Sequence, residues 1–398
     1  MANIEKQIEA LLPRLIEIRH DIHAHPELGY SEHRTAEIIQ SFLKEHEITF
    51  ANNLAGGTGT LAYIEGNSKQ SVGLRADIDA LPITEENTFD YKSKNHGCMH
   101  ACGHDGHTAM LLGTAAILAN LAKEKPLPNS VSMLFQPAEE GGGGGKKMVE
   151  DGCLNGSVLG SPIALMFGQH GWTDLPLGHV STKSGPMMAA DIGINVTIRG
   201  VGGHAAFPHM CIDPILCGAQ IVSAAQQLAA RNTGPLDSLV CSITQFHGGT
   251  THNIIPDEVK LNGTMRYLLQ ETGEMAAKRF EEIVGQVAAA HRCEANIELT
   301  FGYPVTENHP EAVKVFFDIA EKSIDPSNVS IFENPVMGGE DFSYYCKEVP
   351  SCFFALGLRP SDKNSIPNLH QPTFDFNDDA MATGIALFCE LALNSPLD

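Results

Sequence analysis

At 398 residues the chain is long enough for two or three domains, and 43% hydrophobic against 19% charged residues is an ordinary globular balance that buries a large core unaided. It carries 26 Lys and Arg against 48 Asp and Glu, a formal charge of −22, so its surface repels phosphate backbones and anionic lipid; nucleic acid and membrane are excluded as expected partners. Glu5, Lys6 and Glu9 interrupt the amino-terminal apolar residues, no stretch approaches a membrane span, and ten scattered cysteines without framework spacing fit reduced thiols, so a soluble, cytoplasmic protein is expected.

Ile4, Ile8, Leu11, Leu12, Leu15 and Ile16 recur at helical spacing and predict a first helix, which breaks at His25-Pro26 to Gly29. A second helix starts near Ser31, its expected cap. Short strands are predicted over 59–64 and 71–76, an apolar helix over 107–121, a buried strand over 131–135 running into a Gly-rich loop, and a short strand over 164–167. Strands alternating with helices imply a mostly parallel α/β sheet. Near residue 187 the pattern changes to period two, with Ile192, Ile194, Val196 and Ile198 alternating with other residues. A helix over 214–230, strands over 239–245 and 258–266, a helix over 274–290 and a strand over 295–301 follow. The order β-α-β-β-α-β is the ferredoxin-like unit. After Tyr303-Pro304 the α/β pattern resumes, with a helix from 311, a strand over 352–356 and a last helix from 378. The expected fold is therefore an α/β domain in two parts, residues 1–186 and 305–398, interrupted by a ferredoxin-like α+β domain over 187–304.

The densest chemistry is His100-Ala-Cys102-Gly-His104-Asp105-Gly-His107, three histidines, a cysteine and an aspartate within eight residues. Asp105 alone fits a helix cap. A cap needs neither the thiol nor the imidazoles, which are ligands for zinc and its neighbours. A second cluster, Gln136-Pro137-Ala138-Glu139-Glu140-Gly141, sets two carboxylates where a buried strand meets five glycines, and strand carboxyl ends are where open α/β sheets bind ligands. A turn there brings both carboxylates to one centre, one to hold metal and one to handle protons; the alternative is a solvated pair. Asp77 and Asp79 close another strand and read as a turn or as support that orients a metal-held imidazole. His170 is expected at the end of the 164–167 strand and His370 on a distant loop. A two-metal site needs more donors than Cys102, His104 and one glutamate, which draws both histidines in.

These motifs resemble the aminoacylase/carboxypeptidase amidohydrolases that include hippurate hydrolases and the plant hydrolases of indole-acetyl amino acids. The resemblance rests on DIHAHPELGYSE at 21–32, LRADIDALPI at 74–83, MHACGHDGHTAMLLG at 99–113, FQPAEEGGGG at 135–144, GGHAAFPH at 202–209, THNIIPDEVKLNGTMR at 251–266, GGEDFSYY at 338–345 and LHQPTFDF at 369–376. It covers nearly the whole chain in order. It implies a zinc-peptidase-like catalytic domain with the inserted unit as dimerisation domain and lid, hence a homodimer. It implies two divalent ions per subunit (zinc, manganese, nickel or cobalt), bridged by Cys102 and held further by His104, Glu140, His170 and His370, with Glu139 as general base. His204 is implied to steady the oxyanion in the partner's active site, and Asn253 and Arg266 to hold the substrate carboxylate.

The implied reaction is metal-dependent hydrolysis of N-acyl amino acids to a carboxylic acid and a free amino acid, on a hippurate-like, N-acetyl or short-peptide substrate. A dipeptidase or carboxypeptidase of the same chemistry is the nearest alternative. A non-catalytic metal-binding protein and a cysteine hydrolase with Cys102 as nucleophile are the others.

Overall fold

A computed structural model describes residues 2–397 of the chain. They divide into two compact units. The first takes the chain up to Gly185, Glu307–Asn334 and everything described from Asp341 onward; the second takes Pro186–Thr306 and Pro335–Glu340.

The first unit opens with helices α1 (Ala2–Ala24) and α2 (His33–Glu45). Strands β1 (Thr49–Leu54), β2 (Gly59–Ile64) and β3 (Ser71–Asp77) follow, then helix α3 (His104–Glu124), strand β4 (Ser130–Gln136), the short helix α4 (Gly144–Glu150) and strand β5 (Ile163–Pro176). An eight-stranded sheet runs β1, β2, β4, β3, β5, then Ser351–Arg359, Val180–Thr182 and Val329–Ile331. β3 lies parallel to β4 and β5, and β5 parallel to Ser351–Arg359. Every residue of β3 and β4 is buried, as strands covered on both faces require. Helix α3 is buried without a break from His104 to Ala119, so it has no polar face and runs inside the fold, packed on α1 and the final helix Met381–Asn394. The carboxyl ends of β3 and β4 thereby meet the amino end of α3.

The structure departs from the sequence reading in several places. Helix α2 begins after Glu32, not Ser31, and Glu32 makes no side-chain cap. Its carboxylate instead accepts from Thr58 Oγ1 at 2.8 Å and from the Ala138 backbone N–H at 2.9 Å. α3 starts three residues earlier than periodicity suggests, at His104. β5 continues to Pro176 because Ser351–Arg359 pairs along it, which places His170 inside a strand rather than at its end. Helix α4 grows out of the glycine run, its cap Gly143 at φ +68°. β1 reads Thr-Phe-Ala-Asn-Asn-Leu and carries no alternation to betray it.

In the second unit, strands Leu239–Gly248, Glu258–Tyr267, Ala190–Arg199 and Glu294–Phe301 form an antiparallel sheet in that order. With helices Pro214–Ala225 and Gln270–Ala290 the chain order is β-α-β-β-α-β. Ile192, Ile194, Val196 and Ile198 share a core with Ile221, Phe280 and Val284. Pro335–Glu340 joins this unit although it follows residue 305. Val336 N–H donates to Met187 O at 3.0 Å, and Arg266 Nη1 donates to Met337 O at 3.1 Å.

One buried ionic network ties the first unit together. Arg19 of α1 is fully buried, its Nη1 3.0 Å from Asp105 and 3.1 Å from Asp375, with Nε paired to Asp378. One turn on, His23 meets Asp105 Oδ2 through Nδ1 at 2.9 Å and Glu85 Oε1 through Nε2 at 3.1 Å. Two carboxylates can be satisfied only if both ring nitrogens donate, so His23 is an imidazolium. Burial opposes that charge, but Asp105 and Glu85 outweigh it and hold the pKa at about 9. A histidine raised from 6.5 to about 9 stabilises the fold by about 3 kcal/mol while pH stays below 6.5, and that contribution disappears as pH rises through 9. His23→Gln is therefore expected to unfold at lower urea than the parent at pH 6, with the gap closing towards pH 10. A gap of equal size at both pH values would contradict the ion pair.

Candidate metal centre

The site assembles from five segments of the first unit. β3 ends at Asp77, with Asp79 two residues beyond. His104 is the first residue of α3; its Nδ1 lies 2.9 Å from Asp79 O and 3.3 Å from Asp79 Oδ1. That leaves Nε2 buried with no hydrogen-bond partner, the orphaned donor atom expected of a metal ligand. Cys102 sits in the turn before α3. The helix cap, Gly103, holds φ +87°, and a Cβ there would meet Phe376 at 2.9 Å, so glycine is needed on both counts.

His170 places its Nδ1 2.8 Å from Gly171 O and its Nε2 3.4 Å from Cys102 Sγ. His370 arrives from residue 370 with φ +64°, its backbone N–H donating to Ala101 O at 2.8 Å. Its Nε2 is 3.3 Å from Cys102 Sγ and 3.3 Å from Glu140 Oε1. The turn after β4 supplies the glutamates. Ala138 at φ +52° reverses the chain, its N–H held by Glu32, and Glu140 N–H donates to Asp79 Oδ2 at 3.0 Å. Both carboxylates therefore come to one side, against the strand alternation that would separate them.

Donor atoms of Cys102, Glu140 and His370 lie within 4.8 Å of one another; so do those of His104, Glu139 and Glu140, and those of Asp77, His104, His107 and His170. Overlapping groups that share His104 and Glu140 fit two adjacent ions better than one. A thiolate, imidazoles and carboxylates together suit zinc and the neighbouring divalent metals.

The charges are finely opposed. Burial disfavours charge on His104, yet Asp77 and Asp79 overcome it and hold its pKa up at about 10. Burial, then Glu140 and Glu139, push the Cys102 thiol well above its ordinary value. Burial lowers His170, with His107 adding to the effect. Asp77 is held well down by His104, His107 and Arg75 in spite of burial. A divalent cation would displace the protons that His104 and the Cys102 thiol otherwise retain.

The two aspartates divide their work. Asp79 orients His104, whereas Asp77 Oδ1 pairs with His107 Nδ1 at 2.6 Å and its Oδ2 lies 3.7 Å from His104 Nε2. The sequence by itself assigns His107 no separate role. Its Nε2 accepts the Gly171 N–H at 2.9 Å, so both nitrogens are engaged and it supports the peptide beside His170 rather than facing an ion. The signal was the spacing His104-x-x-His107, one helix face. His100 is buried away from the donor groups; burial drives its pKa down to about 4, so it is neutral. Asp105 caps nothing and belongs to the Arg19 network.

His204, Asn253 and Arg266 belong to the second unit. His204 pairs with Ile254 across a two-stranded ribbon, and its exposed ring accepts the Ala206 N–H on Nδ1 at 3.0 Å. The proton is thus on Nε2, available to donate. Ala205 N–H donates to Asn253 O at 3.0 Å, which keeps His204 and Asn253 together. Arg266 lies on strand Glu258–Tyr267.

Residues 73–394 match the model of peptidase family M20/M25/M40. The chain is 36% identical to IAA-amino acid hydrolase ILR1-like 4 of Arabidopsis thaliana over 95% of this chain and 84% of that protein. It is 38% identical to N-acetyl-L-cysteine deacetylase of Bacillus subtilis over 94% and 86%. Among solved structures, Bacillus subtilis YXEP protein, a dinuclear metal binding peptidase from the M20 family, superposes with a TM-score of 0.80 at 32% identity, covering 97% of this chain and 98% of that one. With its donor cluster at the strand ends and these likenesses spanning nearly its whole length, the chain belongs to peptidase family M20/M25/M40.

Proposed function

We propose that the protein hydrolyses the amide bond of N-acyl amino acids with two divalent ions (zinc, manganese, nickel or cobalt) held by Cys102, His104, Glu140, His170 and His370. The observation that carries this is the convergence of those donors with Glu139 beside them and His104 Nε2 left without a hydrogen-bond partner. Such ions, when bound, acidify water and polarise a carbonyl. Glu139 accepts a proton from the attacking water and returns it to the leaving amine. His204 donates through Nε2 to the oxygen where charge develops. Arg266 pairs with the substrate carboxylate, assisted by Asn253. The second unit serves as lid and dimerisation domain, a role supported by its surface. Phe207, Met210, Leu216, Phe246 and Ile254 are exposed there, and strand Leu239–Gly248 stands at an edge of its sheet. A small-molecule substrate, not a macromolecule, suits this arrangement. Among the described residues no helix is long and apolar enough to cross a membrane.

Glu139→Gln is expected to keep its full metal content by elemental analysis while turnover falls roughly 10²–10⁴-fold; a near-normal rate would remove Glu139 as the base. Chelation should abolish hydrolysis of N-acetyl and N-benzoyl amino acids, and added zinc or manganese should restore it. Activity that survives chelation would instead mark Cys102 as a nucleophile. Cys102→Ala should lose bound metal, and two ions retained would make Cys102 a core thiol. Preference for dipeptides over every acyl amino acid in the same assay would move the reading to a dipeptidase.

A further inference from the structure

The face of β5 that carries His170 also carries an aromatic feature that the reaction chemistry leaves unused. Side chains two apart on a strand share a face, so Trp172 stands on the same face as His170. Its ring centroid is 6.2 Å from the imidazole, at an interplanar angle of 77°. Phe332 meets the indole edge-on at 5.3 Å and 87°. Both rings belong to the first unit, and both are only partly buried, whereas Met166 to Gly171 on the same strand are buried throughout. A pair that merely filled the core would be covered.

The chain beside each ring is tied down. Phe332 N–H donates to Thr182 O at 2.9 Å. Thr173 Oγ1 donates to Asn368 Oδ1 at 2.6 Å, which fixes the loop carrying His370 against β5 beside Trp172. A half-open indole and phenyl pair beside His170 offers an aromatic guest edge and face contacts that a methyl group cannot return.

We infer that Trp172 and Phe332 form a specificity wall that receives a flat aromatic acyl group of the substrate, on the side of the scissile amide away from the amino acid. This rests on the hydrolase reading above, which gives the amino acid's carboxylate to Arg266 and leaves the acyl half to the catalytic unit.

Trp172 is the only tryptophan in the chain, so protein emission reports this wall directly. The metal-loaded protein is titrated with benzoate, phenylacetate, acetate and free phenylalanine. Benzoate and phenylacetate should alter the emission saturably at concentrations where acetate and phenylalanine do not. In Phe332→Ala, which keeps the reporter, the benzoate midpoint should rise roughly tenfold. In Trp172→Leu the ratio of kcat/KM for N-benzoyl over N-acetyl amino acids should fall by roughly tenfold or more. A response to phenylalanine in place of benzoate, an equal response to acetate, or an unchanged ratio overturns the wall. If benzoate binds at Trp172 but no acyl amino acid is hydrolysed, the hydrolase reading fails and the aromatic site stands. Hydrolysis with an unchanged ratio defeats the wall alone.

Discussion

The first unit is organised around buried negative charge. Asp77, Asp79, Asp105 and Asp341 are essentially inaccessible and Glu139 nearly so. An uncompensated buried ion costs on the order of several kcal/mol, and this chain gathers five carboxylates close to the ends of two strands and one helix. Buried arginines answer part of the cost. Arg75 reaches Asp77 at 2.6 Å and Asp341 at 2.8 Å, and Asp341 further accepts from Gln136 Nε2 and from Gly145 N–H. Arg19 and His23 answer Asp105 from the other side. What remains is directed at His104, whose pKa Asp77 and Asp79 raise, and the same negative charge suits a divalent cation.

The same compensation fixes the backbone around the site. Arg75 joins β3, the end of β4 and the 341 segment. Arg19 joins α1, the start of α3 and residues 375–378, a few positions after His370. Glu86 N–H and Asn87 Nδ2 hold Pro372 O and Phe374 O. Cys102, Glu140 and His370 come from loops and turns, whereas His104 opens α3 and His170 lies within β5, and the loops are bonded to neighbouring parts of the site. His370 N–H on Ala101 O and Glu140 N–H on Asp79 are the clearest cases. For those three donors preorganisation comes from cross-links between segments.

Residue chemistry made part of this legible in advance. Cys102-x-His104 and Glu139-Glu140 stand out because those side chains are costly to place together without a purpose. His170 and His370 stand out only through family resemblance and the need for more donors, since a lone histidine carries no local signal. What stayed hidden depends on tertiary pairing. β5 is long because Ser351–Arg359, nearly two hundred residues away, pairs with it, and no local pattern announces that. Glu32 precedes α2 without capping it because its carboxylate is wanted by the Ala138 turn. The separate tasks of Asp77 and Asp79 follow from which histidine each meets, a matter of α3 packing over the β3 end.

The length of β5 has a functional consequence. Had the strand ended near residue 167, His170 would lie on a loop, free to choose its own orientation. Inside the strand its direction is set by the pleat and by its parallel partner, and so is that of Trp172. A metal donor and the ring beside it are then two positions of one register, and a one-residue slip would turn both to the opposite face. Pairing with Ser351–Arg359 holds the register, so side-chain identity at 172 can change without disturbing the direction of His170. The strand thereby separates what the chemistry requires, a fixed imidazole, from the chain's selectivity, the side chain two residues further on.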